Sequence, residues 1–331
     1  MTGEEGITRV LVTGGSGFIG TNLVEFYLRA GVEVLNVDHS PPRNRAHATV
    51  WQEIDLEDYE RLRAVIKEFA PTHVLHMGAR TDLAGRAAEE YAANTTGVEN
   101  MIAALEAVPA VGRVIFASSR MVCRIGYQPR HDSDYCPTTA YGESKVQMER
   151  IVRSRARQQV WTIVRPSSIW GPWFGVPYKD FFLAIAHGRY FHVGRRPIYK
   201  SFGYVGNTVY QLHKLLVAPA TEVQRRTLYV ADYPPLEVKH WAEGIRASLD
   251  APPIRTLPYP VLRAAAMAGD VLRRAGWREV PLTRFRLDNL LTEMVYDLRP
   301  LEKIVGRLPN SLQQGTLETI TWLRRQGEVP T

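Results

Sequence analysis

Cysteine is scarce in this 331-residue chain, which contains only Cys123 and Cys136. Two cysteines without metal-ligand spacing provide neither a disulfide framework nor a zinc site. Free thiols of this kind fit a reducing compartment. We therefore predict a cytoplasmic protein and no metal centre.

Long hydrophobic runs are also absent. No apolar segment reaches the ~20 residues that a membrane-spanning helix needs. Residues 1–8 are short and acidic, and they lack the apolar core of a signal peptide. These two absences predict a soluble protein without a membrane span.

Dense basic blocks are missing too, although the formal net charge is +7. The arginines are scattered, and no basic run is interleaved with aromatic residues. The charge therefore predicts attraction to small anionic ligands such as phosphorylated metabolites, and it predicts no nucleic-acid partner.

A glycine-rich turn follows the first predicted strand, residues 9–13, and precedes an amphipathic helix that begins with Phe18 and Ile19. Glycines let the backbone approach a pyrophosphate, and a helix N-terminus directs free N–H groups at it. Strand, turn and helix together predict a dinucleotide site. The pattern is G-x-x-G-x-x-G, formed by Gly14, Gly17 and Gly20.

Asp38 ends the second predicted strand, residues 32–37. An acidic residue at this distance from the glycine turn can accept hydrogen bonds from an adenosine ribose and would repel a 2′-phosphate. The position therefore favours NAD over NADP. Arg43 and Arg45 lie just beyond and argue for NADP, and a plain turn carboxylate is the other interpretation of Asp38.

Predicted strands and helices continue to alternate. Strands end near residue 54 and cover 72–77, 113–117 and 160–164, and helices cover 59–69 and 86–108. This alternation predicts an α/β fold with a Rossmann-type, doubly wound parallel sheet. Ligands bind such sheets beyond the carboxyl ends of the strands. Polar residues collect there at Asp38, Asp55, residues 78–82, Ser118, Ser119, Ser167 and Ser168.

Aromatic residues crowd the segment after Gly171. They predict the core of a smaller lobe, placed to act as a lid over the substrate. We predict an NAD-binding domain over residues 1–170 and a smaller, mostly helical substrate-binding lobe over 171–331. A helix near 207–217 is expected to pack back on the first domain, and a strand is predicted at 227–230.

Residues 255–277 are a basic amphipathic region, predicted to be helical. The favoured interpretation is a solvated face packed on the small lobe. A helix lying on a membrane surface is the alternative.

Tyr141 and Lys145 lie one turn apart on a predicted helix, so they share a face. A phenol alone titrates near pH ~10, and a nearby ammonium would lower that pKa enough for proton transfer. An ordinary exposed i,i+4 pair is the other interpretation of the spacing.

With these residues in place, the chain resembles the extended short-chain dehydrogenase/reductase superfamily, most closely its nucleotide-sugar epimerase/dehydratase branch. The resemblance covers about residues 10–232. Its motifs occupy residues 13–20, 76–80, 116–119, 141–145 and 165–172.

The resemblance implies that Ser119 works with Tyr141 and Lys145. It also implies that Lys145 holds the nicotinamide ribose and that Asn94 braces the active-site backbone. The implied cofactor contacts are Gly14, Gly17, Phe18, Ile19, Gly20, Asp38, Asp55, Leu56, Met77, Gly78, Ala79, Arg80, Asn94, Ala117, Ser118, Tyr141, Lys145, Pro166, Ser168 and Ile169. The implied substrate contacts are Thr81, Asp82, Cys123, Ser168, Tyr178, Lys200 and Phe202. A homodimer through residues 87–107 and 142–155 is a further expectation from the family.

Several positions depart from the family pattern. Cys123 replaces a common tyrosine, and Ser168 stands where sugar epimerases often have asparagine. Arg120 and Met121 replace the acidic pair of the dehydratases, which disfavours dehydration. Lys200 replaces an arginine that would meet a diphosphate, and it presents a point charge without the bidentate fork.

The leading hypothesis is an NAD-dependent nucleoside-diphosphate-sugar epimerase, acting at C4 through a transient keto-sugar. Lys200, with Arg195 or Arg196, would bind the diphosphate. The alternative is an NAD(P)-dependent dehydrogenase or reductase of a keto-sugar or hydroxysteroid-like substrate. A non-catalytic NAD-binding scaffold is the third reading, and the retained Ser119, Tyr141 and Lys145 argue against it.

Overall fold

The computed structural model describes residues 8–274, 276–277 and 283–330. Its central feature is a seven-stranded parallel sheet, which confirms the predicted α/β fold. The strands of this sheet and of three small two-stranded sheets are β1 Arg9–Thr13, β2 Glu33–Asp38, β3 Trp51–Glu53, β4 His73–His76, β5 Arg113–Ala117, β6 Val160–Pro166, β7 Ser168–Trp170, β8 Phe191–Val193, β9 Tyr199–Lys200, β10 Phe202–Tyr204, β11 Arg226–Val230, β12 Leu236–Glu237 and β13 Arg255–Leu257.

The strand order of the main sheet is β11-β6-β5-β4-β1-β2-β3. Val10 of β1 lies beside Val34 of β2 on one side and His73 of β4 on the other. The chain therefore changes direction across the sheet between β1 and β4. In doubly wound sheets this switch point opens the crevice that receives a ligand.

Helices cover both faces of the sheet. On one face α2, α3 and α4 pack together, and on the other α1, α6 and α11 do. The helices are α1 Phe18–Arg29, α2 Tyr59–Phe69, α3 Thr96–Glu106, α4 Ala140–Arg155, α5 Tyr178–Ala186, α6 Val205–Val217, α7 Ala220–Val223, α8 Val238–Leu249, α9 Tyr259–Arg274, α10 Arg284–Leu291, α11 Arg299–Val305 and α12 Leu312–Arg325.

The predicted long helix over 86–108 is wrong in its first half. Residues Ala88–Asn94 form a 3-10 segment in which Tyr91 has non-helical angles, φ −110° and ψ 45°, and α3 begins only at Thr96. The Tyr91 hydroxyl donates to the Asp82 carbonyl and accepts from Gly85 N–H. These contacts with the preceding loop hold the segment out of a continuous helix.

The segment after residue 170 does not form one separate layer. Strand β11 pairs with β6 at the edge of the main sheet, and α6 packs on α1. A smaller aromatic core lies under α5, α8 and α12, where Trp170 and Trp241 have ring centroids 4.9 Å apart. Trp170 and Phe182 are fully buried, so much of the aromatic stretch is lobe core.

The predicted helical region 255–277 begins instead as a strand, because β13 pairs with β8 before α9 starts. Within the described ranges, no helix is both long and apolar enough to cross a bilayer.

Candidate active site

The glycine turn forms a shallow cradle at the switch point. Gly14 has φ +67°, and a Cβ at Gly20 would lie 2.0 Å from the Gly14 carbonyl oxygen. Helix α1 starts after Gly17, whose position offers no side-chain cap to the first N–H groups. These open donors and the helix dipole fit the pyrophosphate of a dinucleotide.

Asp38 is held rigidly beside this cradle. Its carboxylate accepts hydrogen bonds from Ser16 N–H at 3.0 Å and from Ser40 N–H at 2.9 Å. The Arg43 guanidinium donates to the Trp173 carbonyl at 2.6 Å. The carboxylate is therefore placed for a ribose, and Arg43 is occupied elsewhere.

The loop after β4 lies across the crevice from the glycine turn. Gly78 N–H donates to Thr13 Oγ1 at 3.1 Å, and Asn94 bonds both backbone groups of Arg80, at 2.8 and 3.0 Å. Asn94 also donates to Ser144 Oγ on α4 at 2.9 Å. The Asn94 amide thus links the backbone of the loop over residues 77–80 to α4, the helix that carries Tyr141.

Asp55 and Leu56, two of the implied cofactor contacts, follow β3, and the resemblance implies that they bracket the adenine. Leu56 is buried, and its side chain limits the space beside Gly78 and Gly97. Asp55 is exposed and accepts from Glu57 N–H at 2.9 Å. The apolar Leu56 side chain suits the ring face of a purine, and the exposed Asp55 carboxylate suits its polar edge.

Ser119, Tyr141 and Lys145 meet at the carboxyl end of β5. The Ser119 side chain lies close enough to the Tyr141 phenol to act on its pKa, and Ser119 Oγ accepts from Met121 N–H at 3.1 Å. Lys145 Nζ donates to the Ala117 carbonyl at 2.8 Å. Tyr141 is 8% exposed and Lys145 is 3% exposed, so both polar groups lie in a site largely closed to water.

The protein environment shifts the pKa of both titrating groups. Burial raises the pKa of Tyr141, while Ser119 and the Arg120 cation act in the lowering direction. Burial lowers the pKa of Lys145 to about 8, and Glu149 opposes this shift. We expected Lys145 to lower the pKa of Tyr141. Ser119 and then Arg120 act on the Tyr141 pKa in the lowering direction, the Lys145 ammonium donates to the Ala117 carbonyl, and the effect of Lys145 on Tyr141 stays a prediction.

A buried ionic network lies under α4. It was not predicted from the sequence. The Glu149 carboxylate is fully buried and accepts from Arg165 Nε and a terminal Arg165 nitrogen, both at 2.8 Å. It also accepts from Ser118 Oγ at 2.6 Å and from the Tyr135 hydroxyl at 3.0 Å. The Ser118 side chain is therefore turned to Glu149 and its N–H donates to the Val164 carbonyl at 2.7 Å, so the predicted cofactor contact of Ser118 is left to its carbonyl.

Arg120 is the site residue whose role the sequence did not reveal. Its guanidinium hydrogen-bonds the Tyr296 hydroxyl, and its charge acts on Tyr141, Tyr178 and Lys200. Arg120 therefore faces the substrate side of the crevice. Its position directly after Ser119 was the available signal.

Lys200 is the second cation on this side. It is 6% exposed, its Nζ donates to the Asn289 carbonyl at 2.7 Å, and burial lowers its pKa to about 8. In the described part of the chain, no carboxylate pairs with Lys200 or Arg120. The predicted helpers Arg195 and Arg196 lie on the exposed turn after β8. Two uncompensated cations fit a diphosphate.

The remaining predicted substrate residues divide into two groups. Ser168 lies close enough to Tyr178 to act on its pKa, and the Tyr178 ring packs edge-on against Phe202 at 5.5 Å. These three therefore lie together at β7, which contains Ile169 and follows Pro166 at the end of β6. Cys123 and Asp82 are placed otherwise.

Cys123 is 2% exposed and donates to the Asp134 carbonyl at 3.3 Å within a small apolar cluster. Asp82 pairs with Arg80 at 2.7 Å on an exposed loop that also carries Thr81. The Cys123 thiol is therefore engaged in packing, and its substrate contact stays a prediction. The Asp82 carboxylate is likewise taken by the Arg80 ion pair.

Comparisons with known proteins agree with this geometry. The profile of the family described as "NAD dependent epimerase/dehydratase family" matches residues 10–231. An N-acetyl-alpha-D-glucosaminyl-diphospho-ditrans,octacis-undecaprenol 4-epimerase of Escherichia coli O157:H7 is 28% identical over 95% of this chain and 94% of its own length. A 3-beta-hydroxysteroid dehydrogenase of Mycolicibacterium neoaurum is 28% identical over 72% of this chain and 69% of its own.

Solved structures share the fold. A UDP-glucose 4-epimerase of Thermotoga maritima, solved with UDP-glucose, superposes with a TM-score of 0.72 at 18% identity, covering 96% of this chain and 99% of that one. A Bordetella bronchiseptica enzyme in complex with NAD gives a TM-score of 0.73 at 19% identity, covering 99% and 98%. The profile match spans the glycine turn, the Ser119–Tyr141–Lys145 cluster and the main sheet. The chain therefore belongs to the NAD-dependent epimerase/dehydratase family of enzymes.

Proposed function

We propose that this enzyme is an NAD-dependent epimerase that inverts C4 of a sugar carried on a diphosphate. The observation that carries the proposal is the proximity of Ser119 to the Tyr141 phenol at the carboxyl end of β5, with Arg120 and Lys200 on the substrate side. The first group is suited to proton transfer at a carbinol, and the second to binding a diphosphate.

The residues divide the work as follows. Tyr141 takes the proton from the sugar hydroxyl, and Ser119 donates a hydrogen bond to the oxygen that becomes a ketone. Lys145, protonated at neutral pH because its pKa is about 8, holds the ribose hydroxyls of the cofactor. NAD, when bound, supplies reversible hydride storage, so the reaction needs no net oxidant. The keto-sugar then turns in the pocket, and the same side chains act in reverse.

NAD rather than NADP is the cofactor we propose. The Asp38 carboxylate is fixed by two backbone N–H groups at the ribose position, where it would repel a 2′-phosphate. Arg43, the nearest candidate for a 2′-phosphate, is bonded to the Trp173 carbonyl.

The carrier of the sugar defines two versions of the proposal. A nucleoside diphosphate is the first, and the Escherichia coli relative makes a polyprenyl diphosphate the second. A net dehydrogenase is the competing function, because a hydroxysteroid dehydrogenase is also among the relatives. The two cations favour a diphosphate over a steroid. A cytoplasmic location and a homodimer through residues 87–107 and 142–155 remain predictions.

The test begins by denaturing the purified enzyme and identifying any released dinucleotide. Nucleotide sugars and short-chain polyprenyl-diphosphate sugars are then incubated with the enzyme without added NADH, and products are identified by NMR. An epimer formed without added reductant supports the proposal. A reduced product that requires added NADH contradicts it and supports the dehydrogenase.

Tyr141→Phe tests the proposed proton transfer, and a second Tyr→Phe variant is its matched control. We expect turnover to fall at least about 100-fold, because general acid–base catalysis contributes that much or more. Tyr210→Phe, on α6 in the cluster that α1 and α11 also form, should keep the wild-type rate. Equal rates for both variants would remove Tyr141 from the mechanism.

A further inference from the structure

The inward face of α9 is an ordinary packing face. Leu262, Ala266 and Gly269 recur at one-turn spacing and are buried. Leu262 and Ala266 pack against Val193 and Leu287. This face fixes the orientation of the helix on the small lobe.

The outward face of the same helix is apolar as well. Val261 is 56% exposed, Met267 50% and Val271 62%. At about 100° per residue, a continuous sector of roughly 160° on the outward side carries no charged or hydrogen-bonding side chain. Its positions are Pro260, Val261, Ala264, Ala265, Met267, Ala268, Val271 and Leu272, all of them exposed. A solvated surface helix places charged residues there, so the prediction of a solvated face does not account for this helix.

Positive charge borders this apolar stripe. Arg263, Arg273 and Arg274 are exposed on its flanks. The single acidic residue in the helix sequence, Asp270, forms an ion pair with Arg284 at 2.7 Å. The helix therefore presents apolar side chains between cations, with its carboxylate neutralised.

Aromatic residues lie at the two ends. Tyr259, at the start of the helix, is 40% exposed, and Trp277, just after its end, is 63% exposed. Amphipathic aromatic rings favour the boundary between water and hydrocarbon.

We propose that this outward face, formed by Val261, Met267, Val271 and Leu272 and bordered by Arg263, Arg273 and Arg274, docks on a membrane surface that contains anionic lipid. The helix would lie in the interface without spanning it. Apolar side chains enter the headgroup boundary while the arginines meet lipid phosphates.

Charge decides between a lipid surface and a second copy of this chain. A two-fold pairing of the same face would bring Arg263 of one copy towards Arg273 and Arg274 of the other, since such interfaces are self-complementary. Unpaired like charges would then border a desolvated contact. An anionic bilayer satisfies both the apolar stripe and its cations.

The docking face has a structural link to the proposed substrate site. Helix α10 packs on α9, and its Asn289 carbonyl receives the Lys200 ammonium. A docked α9 would hold the diphosphate-binding cations on a lobe next to the bilayer. Sugar diphosphates carried on a lipid would be accessible there, a consequence that rests on the proposed function, whereas the docking itself does not.

Vesicle co-sedimentation tests the docking. The full chain is mixed with vesicles of phosphatidylcholine alone, or of phosphatidylcholine with phosphatidylglycerol, at low and high salt. We expect binding to the anionic vesicles that weakens as salt rises. Met267→Asp/Val271→Asp should weaken it by at least about tenfold, and Arg273→Glu/Arg274→Glu by a similar factor, because both the apolar and the electrostatic parts contribute.

Leu317→Asp is the matched control, since Leu317 is 45% exposed on α12. It should bind anionic vesicles like the wild type. All variants should keep their melting temperature and their turnover of a water-soluble substrate, which separates a failure of docking from a failure of the proposed function.

Three outcomes would overturn the proposal. The first is no binding of the wild type to anionic vesicles. The second is undiminished binding by the Met267→Asp/Val271→Asp variant. The third is a dimer in analytical ultracentrifugation that this variant dissociates while vesicle binding is absent, which would assign the face to a second copy of the chain.

Discussion

Replacing Glu149 by Gln should destabilise the fold and also disturb the active site. The Glu149 side chain is fully buried, and its partner Arg165 has a side chain that is 1% exposed. Loss of the carboxylate charge leaves a buried guanidinium compensated only by the Asp132 carbonyl and the Tyr229 hydroxyl. Breaking a buried pair from one side costs about 3–5 kcal/mol. We expect a loss of this size in the free energy of unfolding.

The same change should reach Lys145, which lies one turn before Glu149 on α4. Glu149 raises the pKa of Lys145 against the lowering effect of burial. Without the carboxylate, the pKa of Lys145 falls below about 8, and the ammonium loses its proton at a lower pH. The alkaline limb of the pH–rate profile should therefore move to lower pH, while the acid limb stays near its wild-type position.

Urea unfolding followed by circular dichroism measures the loss in the free energy of unfolding. A double-mutant cycle identifies the interaction that is lost. Glu149→Gln/Arg165→Met should recover part of the stability lost in Glu149→Gln, because the fully buried guanidinium is removed together with its carboxylate partner, although Arg153 also loses its contact with Glu149. Arg155→Met is the control: its ion pair with Glu99 is largely exposed, so it should cost less than about 1 kcal/mol. A Glu149→Gln variant no less stable than Arg155→Met would refute the reasoning.

The other predictions concern Arg120, Asp38 and Asp232. Arg120→Gln should raise the pKa of Tyr141 and move the acid limb of the pH–rate profile to higher pH, with Arg120→Lys restoring it in part; an unmoved limb would exclude Arg120 from the electrostatics of the site. Asp38→Ser should raise kcat/KM or binding affinity with NADP relative to NAD by about tenfold or more, and an unchanged ratio would place Asp38 away from the ribose. Burial raises the pKa of Asp232 to about 7 from 3.8, so this group costs stability increasingly between about pH 4 and 7 and fully above it. Asp232→Asn should accordingly be more stable than the wild type at pH 8, by up to about 4 kcal/mol. Near pH 4 the two proteins should be equally stable. Equal stability at both pH values would contradict the assigned pKa.

The main sheet and the family were accessible from the sequence because their signals are local. Strand and helix periodicities give the parallel α/β order, and the glycine turn must sit between β1 and α1. The one-turn spacing of Tyr141 and Lys145 likewise needs nothing beyond their own helix. Each of these features is encoded by residues within a few positions of one another.

Other features depended on contacts between distant segments. The hydrogen bonds of Tyr91 and Asn94 with the loop after β4 split the predicted helix over 86–108. The return of β11 to the main sheet depends on pairing with β6. Local periodicity carries no information about such partners, so the length of that helix was misjudged and the pairing of β11 with β6 was not predicted.

The directions of the side chains at the site also depend on contacts between distant segments. Cys123 donates to the Asp134 carbonyl, and Ser119 and Arg120 act on the pKa of Tyr141. The amphipathic pattern of residues 255–277 was visible in the sequence, but only packing against Val193 and Leu287 decided which apolar face of α9 is buried. The sequence by itself determined the sheet, the crevice and the reacting groups. Tertiary structure alone decided the charges that act on them and the apolar face left exposed, because both depend on neighbours far away in the chain.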